Sequence, residues 1–334
     1  MNIAIVGATG NVGRKLLEVI EKLNFKFSEL YLIASDKSIG KKITFKGKTY
    51  SILGLSDFDF SKVKIAFFSA GSGIAEKWAP IAAKKTIVID NSKHFRMDKD
   101  IPLVVPEVNA DALKNYKKKN IIANANCSTI QLVLALKPLH DQFKIKRVIV
   151  STYQSVSGAG NMHMNELEEQ SKKFLNKQKV TSKNFTKQIA FNVIPHIDSF
   201  MEDRYTKEEW KMTVETKKIL DSNISLSATC VRVPVFVGHS ESVNIEFNSE
   251  VDDKKIRKCL ENAPGCKVVD EIKDGGYITP VESSGDFVTY ISRIRDDKTQ
   301  NNSINMWVVS DNLLKGAALN AVQIANVLIK KYIN

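Results

Sequence analysis

The chain begins with Met1-Asn2-Ile3-Ala4-Ile5-Val6, a short apolar run that leads directly into Gly7-Ala8-Thr9-Gly10-Asn11-Val12-Gly13. Apolar residues then recur at helical spacing, at Leu16, Leu17, Val19, Ile20 and Leu23. This pattern predicts a strand, a glycine turn and a helix. Because glycines three residues apart allow a tight turn and a close backbone approach, a pyrophosphate can rest on the helix N-terminus. The turn therefore predicts a dinucleotide site that includes Gly7, Thr9, Gly10, Asn11 and Val12.

Strand-like and helical segments alternate through the first third of the chain. Apolar runs predict strands at residues 30–34, 65–69 and 86–90, and residues 74–84 are predicted to form a helix between the last two. Strands that alternate with helical crossovers are typical of parallel sheets. The sequence therefore predicts an α/β fold with a doubly wound dinucleotide domain of the Rossmann type.

The pattern changes after a long helix that is predicted to begin at Ile130. Polar helical stretches are mixed there with predicted strands at residues 148–153, 227–234, 242–247 and 305–309. This mixture predicts an α+β catalytic and dimerisation domain. A last apolar helix, residues 313–332, is predicted to return to the first domain. The predicted domains are thus residues 1–127 with 312–334, and residues 128–311.

Composition limits the possible partners and compartments. The 334 residues, 43% of them hydrophobic, are enough for two domains. The net charge of +12 comes from lysine spread along the whole chain, without a recognised nucleic-acid-binding module, so we predict no nucleic-acid partner. No export signal or long uninterrupted apolar helix is evident, which predicts a cytoplasmic protein that does not bind a membrane.

One cysteine is placed for chemistry. Cys127 follows the apolar run 121–123 and immediately precedes the predicted helix, so its thiol lies at a strand-to-helix junction. A helix N-terminus favours thiolate over thiol and can stabilise a developing oxyanion, which makes Cys127 a candidate nucleophile. The four cysteines, at positions 127, 230, 259 and 266, show neither metal-ligand spacing nor a disulfide pattern, and we predict no metal.

A catalytic thiol needs a proton-transfer partner, and histidine is the usual one near neutral pH. Of the five histidines, His239 follows the run 233–238, which ends in glycine, and precedes Ser240. A glycine turn is expected there, with the imidazole presented between two strands. His239 is therefore the candidate acid/base group.

Several motifs, occurring in order, are together more specific than the glycine turn. On these motifs the chain resembles aspartate-β-semialdehyde dehydrogenase over essentially its full length. The motifs are Gly7-Ala8-Thr9-Gly10-Asn11-Val12-Gly13, Asn126-Cys127-Ser128-Thr129, Gln154-Ser155-Val156-Ser157-Gly158-Ala159-Gly160, Glu208-Glu209-Trp210-Lys211, Cys230-Val231-Arg232-Val233-Pro234 and Gly238-His239-Ser240-Glu241.

The resemblance implies a reaction in which NADPH and L-aspartyl 4-phosphate give L-aspartate 4-semialdehyde and phosphate. It places the enzyme in lysine, threonine, methionine and diaminopimelate biosynthesis, and suggests a homodimer or a tetramer. Cys127 would expel phosphate to form a thioester, His239 would act as the acid/base group, and Gln154 would orient the acyl intermediate.

The resemblance also assigns the substrate contacts. Glu208 would hold the substrate ammonium, Arg232 would hold the α-carboxylate in a bidentate pair, and the phosphate would be held by Arg96, Asn126 and Lys211. Without the resemblance, Glu208 and Lys211 would be interpreted as a solvent-facing pair three residues apart on a helix.

The cofactor loop departs from the family pattern, in which arginine often stands where this chain has Lys37. Asp36 could bind a ribose 2′-hydroxyl, which would favour NAD. Ser35, Lys37 and Ser38 offer contacts to a 2′-phosphate, and NADP is the prediction. The remaining cofactor contacts that the resemblance implies are Ser69, Gly71, Gly158 and Asn312.

Three alternatives compete with this interpretation. N-acetylglutamyl-phosphate reductase shares the chemistry, but its cysteine usually lies in a Gly-Cys-Tyr context and its substrate lacks an ammonium for Glu208. Glyceraldehyde-3-phosphate dehydrogenase has a Ser-Cys-Thr-Thr-Asn motif, whereas this chain has Asn126-Cys127-Ser128-Thr129. A non-catalytic dinucleotide sensor would not need Cys127 and His239 together.

Overall fold

A computed structural model describes residues 1–333 of the chain. The described residues divide into two units. The first contains residues 1–125 and the residues from 317 onward, and the second contains residues 126–316. The sequence-based division was placed instead after residue 127 and before residue 312. In the structure, Cys127 therefore belongs to the second unit, together with the rest of its helix.

The strands, in chain order, are β1 Ile3–Val6, β2 Leu30–Ala34, β3 Lys42–Phe45, β4 Lys48–Ser51, β5 Leu53–Gly54, β6 Ile65–Phe68, β7 Ile87–Asp90, β8 Leu103–Val104, β9 Ile121–Asn124, β10 Ile145–Gln154, β11 Ser225–Arg232, β12 His239–Phe247, β13 Cys266–Val268, β14 Thr289–Asp296 and β15 Ser303–Ser310. The α-helices are α1 Asn11–Lys22, α2 Ser72–Ala83, α3 Pro106–Asn109, α4 Cys127–Phe143, α5 Asn161–Leu175, α6 Lys207–Ile219, α7 Asp253–Glu261, α8 Pro280–Ser283 and α9 Leu319–Lys331. Short 3-10 helices occur at Asp36–Ser38, Phe60–Lys62, Ala110–Lys118 and Val156–Ala159.

The first unit is built on a seven-stranded sheet with the order β5-β2-β1-β6-β7-β9-β8. Every pair in this sheet is parallel. The central strands β1, β6, β7 and β9 are buried along their whole length, as expected for a parallel sheet covered on both faces. The strand order reverses at β1, between β2 and β6. The predicted Rossmann-type fold is confirmed, and this reversal is where such folds bind dinucleotides.

Steric constraints explain the glycines between β1 and α1. Gly7 has a φ of +88°, and a Cβ there would lie 2.6 Å from the carbonyl oxygen of Ser69. A Cβ at Gly13, inside α1, would lie 2.2 Å from the carbonyl oxygen of Gly7. Only glycine fits at either position, because both contacts are with backbone atoms. The turn thus packs tightly against the start of α1, whose first residue is Asn11.

The C-terminal helix α9 packs against α1, α3 and β7, all in the first unit. The sequence-based prediction was that this helix returns to the first domain. The segment differs from the prediction in one respect, because residues Leu314–Ala318 form a π-helix before α9 begins. Apolar spacing does not distinguish a single π-helical turn from an α-helix.

The second unit contains a six-stranded mixed sheet with the order β11-β10-β12-β15-β14-β13. Strands β10 and β11 are parallel, whereas β10, β12, β15 and β14 pair antiparallel in succession. Helices α4, α6 and α7 contact this sheet, and a continuous apolar core lies between them. The predicted α+β character of this unit is confirmed. Within residues 1–333, no helix is long and apolar enough to cross a membrane.

Candidate active site

Cys127 is the first residue of α4, three residues after the end of β9. None of the four cysteines, all of which lie in the described part of the chain, forms a disulfide. Cys127 is partly exposed, whereas Cys230 is fully buried and burial raises the pKa of its thiol. Of these two residues, only Cys127 combines exposure with a helix N-terminus, which is the environment of a reactive thiol.

Asn126 precedes α4, and its side chain does not cap the helix. Its amide nitrogen Nδ2 instead donates to Glu208 Oε1 at 2.9 Å, and its backbone N–H donates to Glu215 Oε2 at 2.7 Å. The Cys127 thiol contacts Asn126 Oδ1 at 3.5 Å. Two carboxylates therefore fix the residue that precedes the candidate nucleophile.

Both carboxylates come from one helix. A capping box between Thr206 and Glu209 fixes the start of α6. Glu208, Lys211 and Glu215 follow at intervals of three and four residues, so they share one face of the helix, and all are buried. The packing of α6 against α4 and β11 turns this charged face inward.

Glu208 connects several predicted site residues. Its Oε2 lies 2.5 Å from Lys211 Nζ, and its Oε1 accepts from Gln154 Nε2 at 3.1 Å as well as from Asn126. Burial alone would favour the protonated acid, but Lys211 and the two amides outweigh it and lower the pKa of Glu208 to about 2. Lys211 Nζ also lies 3.2 Å from Asp198 Oδ2. Asn126, Glu208 and Lys211 of the predicted substrate set thus form one hydrogen-bonded group, which also includes Gln154.

Gln154 and two further site residues lie at the same end of three neighbouring strands of the sheet. Gln154 ends β10, Arg232 ends β11 and His239 begins the antiparallel strand β12. Gln154 pairs in register with Arg232, and His239 pairs with Ser310. Sheet register therefore brings together residues that are far apart in the sequence.

His239 is fully buried. The predicted glycine turn ends at Gly238, with a φ of +97°, and His239 follows it as the first residue of β12, where it pairs with Ser310. The Ser155 N–H donates to Nδ1 at 3.0 Å, so the neutral ring carries its proton on Nε2. Burial first, and then the positive charge of Arg232, lower the pKa of His239 to about 3. Within residues 1–333, Nε2 has no hydrogen-bond partner.

Two glycines leave space beside the reactive groups. A Cβ at Gly158 would lie 3.2 Å from His239 Nε2 and 3.3 Å from Arg232 Nη1, so both groups border the open side of Gly158. A Cβ at Gly316, in the π-helix, would lie 2.8 Å from the Cβ of Cys127. The site therefore depends on the absence of a side chain at both positions.

Asn312 supports the strand ends. Its Oδ1 accepts from the Gly238 N–H at 2.9 Å and from the hydroxyls of Ser155 and Ser157, each at 3.1 Å. Ser155 also donates to His239, so Asn312 fixes the segments on both sides of the imidazole. The sequence predicted a cofactor contact for Asn312, and this supporting role was not predicted.

The predicted nucleotide residues of the first unit lie at the carboxyl ends of the neighbouring strands β2, β1 and β6. Ser69 donates to the carbonyl of Val6 at 3.1 Å, and Gly71, with a φ of +86°, precedes α2. In the loop after β2, Ser35 and Lys37 are exposed, whereas Ser38 is 8% exposed. Asp36 is also exposed. The remaining residues of this set are Gly7, Thr9, Gly10, Asn11 and Val12, all in the glycine turn or the first turn of α1.

Arg96, the predicted phosphate ligand of the first unit, is buried. Its Nε donates to the carbonyl of Asn124 at 2.9 Å, and its Nη2 donates to the carbonyl of Asn91 at 3.1 Å. The guanidinium is thus fixed at the carboxyl ends of β7 and β9. No group of three or more histidine, cysteine, aspartate or glutamate residues within 1–333 is placed to hold a metal ion.

Sequence reasoning did not identify Asp198, Glu215 or Gly316. The spacing of Glu215, seven residues after Glu208, places it on the same helix face and could have indicated its role. No local signal identifies Asp198 or Gly316, because their contacts with Lys211 and Cys127 arise only from tertiary packing.

Family models and known proteins similar to this chain identify its class. The family model "Semialdehyde dehydrogenase, NAD binding domain" matches residues 2–116, and "Semialdehyde dehydrogenase, dimerisation domain" matches residues 136–315. The chain is 51% identical to the aspartate-semialdehyde dehydrogenase of Rickettsia bellii over 334 residues, covering 99% of this chain and 98% of that protein. These matches describe an oxidoreductase with a nicotinamide dinucleotide cofactor and an oligomeric assembly.

Solved structures agree with these matches. Aspartate semialdehyde dehydrogenase II from Vibrio cholerae, complexed with ASA, superposes with a TM-score of 0.97 at 48% identity, covering 99% of this chain and 98% of that one. The Candida albicans aspartate semialdehyde dehydrogenase with NADP has a TM-score of 0.75 at 26% identity, covering 100% and 99%. The chain belongs to the aspartate-semialdehyde dehydrogenase family, and it is an enzyme of amino-acid biosynthesis.

We expect Gly316→Ala to lower turnover and the rate of Cys127 alkylation by about ten- to a hundredfold. The new Cβ would meet the Cβ of Cys127 at 2.8 Å and displace the nucleophile, and small displacements of a reacting group have effects of this size. Gly73→Ala is the control, because a Cβ there meets nothing within 4 Å. Wild-type alkylation and turnover in Gly316→Ala would show that this contact does not position Cys127.

Proposed function

We propose that the chain catalyses the NADPH-dependent reductive dephosphorylation of L-aspartyl 4-phosphate to L-aspartate 4-semialdehyde. The observation that carries this proposal is the buried charge set of the second unit. Glu208, Lys211 and Arg232 are all buried close to the start of the Cys127 helix or to His239. Such a set matches a ligand with an ammonium, a carboxylate and a phosphate.

The proposed reaction proceeds through Cys127. Its thiolate attacks the acyl carbon, the new C–S bond forms, and the C–O bond to phosphate breaks. A nicotinamide cofactor, when bound, would supply a hydride to the thioester carbon. Collapse of the resulting oxyanion breaks the C–S bond, releases the aldehyde and returns the thiolate. The thioester divides one difficult reduction into two easier steps.

We assign to His239 an interaction with the substrate oxygen that becomes the oxyanion in these steps. The hydrogen bond from Ser155 leaves the proton on Nε2, which borders the open side of Gly158. There the ring can donate to an oxyanion, and exclusion of water strengthens that interaction. Gln154 is proposed to orient the acyl group, because both ends of its amide are fixed, by Thr152 at 3.0 Å and by Glu208 at 3.1 Å.

The recognition roles follow the residue chemistry. Arg232 is the proposed ligand of the α-carboxylate, and Glu208 is the proposed ligand of the α-ammonium. Arg96, Asn126 and Lys211 are the proposed ligands of the phosphate. An acylated substrate without an ammonium would leave the buried Glu208 without a matching cation from the ligand, which argues against N-acetylglutamyl phosphate.

For the cofactor, we propose NADP rather than NAD. The glycine turn can hold a pyrophosphate, because the N-terminus of α1 follows it directly. Lys37 and Ser35 are exposed beside the end of β2 and can meet a 2′-phosphate. Gly158 and Asn312 are proposed contacts for the nicotinamide half.

The wider setting is also part of the proposal. The product would serve lysine, threonine, methionine and diaminopimelate biosynthesis in the cytoplasm, in a homodimer or a tetramer. Support comes from the family membership and the match to a dimerisation domain. The test of the substrate is an assay of NADPH oxidation with L-aspartyl 4-phosphate, N-acetyl-L-glutamyl phosphate and 1,3-bisphosphoglycerate. Preference for either of the last two would overturn the proposal.

We expect Cys127→Ser to fold and bind NADPH but to lose nearly all turnover, by at least about a thousandfold. A serine hydroxyl is a far weaker nucleophile without an adjacent base. Cys259→Ser is the matched control, because this cysteine lies on α7 in the same unit, away from the proposed site, and should leave turnover unchanged. Steady-state kinetics and nucleotide binding measure both effects. Substantial activity in Cys127→Ser would contradict the covalent mechanism.

The cofactor loop yields a separate prediction. The wild-type enzyme should have a higher kcat/KM with NADPH than with NADH, and Lys37→Ala should reduce that ratio by about tenfold with little change for NADH. Lys41→Ala, another exposed lysine four residues along the chain, is the control. Equal use of both cofactors by the wild-type enzyme would mean that Asp36, and not Lys37, decides the preference.

A further inference from the structure

The two residues proposed to bind opposite charges of the substrate bind each other in this structure. Glu208 Oε2 lies 2.5 Å from Lys211 Nζ. The side chains are only 6% and 11% exposed, so the pair is shielded from solvent. Glu208 is the proposed ligand of the ammonium and Lys211 is a proposed ligand of the phosphate. Each group is therefore already paired with an opposite charge of the protein before a ligand binds.

Both oxygens of Glu208 already have partners. Oε1 accepts from Asn126 and Gln154, and Oε2 faces Lys211. Oε2 could accept a second donor, but a second ammonium there would lie beside the cation of Lys211, and like charges repel strongly in a buried site. We therefore expect an incoming ammonium to take the place of Lys211. A buried carboxylate that loses its cation without a replacement is strongly destabilised, so the departure of Lys211 and the arrival of the ammonium must accompany each other.

The same argument applies to the lysine. Lys211 also contacts Asp198 Oδ2 at 3.2 Å, so it keeps one carboxylate if it leaves Glu208. A phosphate would replace the second negative charge. In this exchange, the substrate ammonium replaces Lys211 as the partner of Glu208, and the phosphate replaces Glu208 as a partner of Lys211. Every buried charge then remains paired.

We propose that the substrate ammonium and phosphate bind by exchange with the Glu208–Lys211 ion pair, so that each group strengthens the binding of the other. The inference rests on the proposed function, because it uses the assignment of these two groups. A ligand with only one of these charges breaks the ion pair and gives a new partner to only one of the two residues. Two ligands that carry both charges between them give a new partner to Glu208 and to Lys211. Each ligand must therefore raise the affinity for the other by the same factor.

The test uses two ligands that cannot react with Cys127. L-2-aminobutyrate carries the α-ammonium and α-carboxylate but no carbonyl on its side chain, and inorganic phosphate supplies the second group. Isothermal titration calorimetry at pH 8 should show that saturating phosphate lowers the dissociation constant of L-2-aminobutyrate by about tenfold. Butyrate, which lacks the ammonium, should show no such change.

A variant separates exchange from direct attraction between the two ligands. Lys211→Met removes the cation and keeps most of the stem. Without phosphate, it should bind L-2-aminobutyrate more tightly than the wild-type enzyme does, because Glu208 no longer has Lys211 as a partner. In this variant, phosphate should leave the dissociation constant of L-2-aminobutyrate unchanged. Lys217→Met, an exposed lysine of the same helix, is the control and should behave like the wild type.

The outcomes are distinct. The exchange would be overturned by equal dissociation constants of L-2-aminobutyrate with and without phosphate in the wild type, or by weaker binding of L-2-aminobutyrate to Lys211→Met. The proposed function would still stand in either case if the enzyme turns over L-aspartyl 4-phosphate. Absence of that turnover would instead remove the proposed function itself.

Discussion

The ionised carboxylate of Glu208 is the interaction on which the proposed active site depends. Glu208 lies on helix α6, where it pairs with Lys211. Its carboxylate joins this helix to the residue before the nucleophile, through Asn126, and to the end of strand β10, through Gln154. Burial opposes its charge, and only the convergence of one cation and two amide donors keeps the pKa low. Loss of Lys211 would leave the buried carboxylate without this cation, and loss of either amide would remove one of its hydrogen bonds. The carboxylate therefore fixes the geometry and also limits what can bind.

The strand register of the second unit brings the remaining site residues together. Two strands end, and an antiparallel strand begins, at the same end of the sheet. This places Gln154, Arg232 and His239 close together. Asn312 then links the turn before His239 to Ser155 and Ser157. A neutral, desolvated imidazole beside a guanidinium is a consequence of this packing. The electrostatics of the site thus follow from the fold of the second unit.

How much of this could be predicted from the sequence depends on the range of the interactions. Strands β1, β2, β6 and β7 of the first unit were predicted to within two residues, because apolar runs and the glycine turn are local signals. The strands β3, β4, β5 and β8 were not predicted. Cys127 and His239 were identified through motifs, but the start of β12 was missed because its first residues are polar. Glu208 and Lys211 look like a solvent-exposed pair by spacing alone. Their burial is decided by packing against α4 and β11, which no local pattern records.

The proposed thioester on Cys127 is the central claim, and trapping it is the most direct test. The enzyme would be incubated with L-aspartate 4-semialdehyde and NADP without phosphate, quenched in acid, digested and analysed by tandem mass spectrometry. Without phosphate to attack the thioester, the acyl group should accumulate on the peptide that contains Cys127, and hydroxylamine should remove it. Reduction of NADP in a full first turnover with an unmodified Cys127 peptide, or with the acyl group on another residue, would contradict the account.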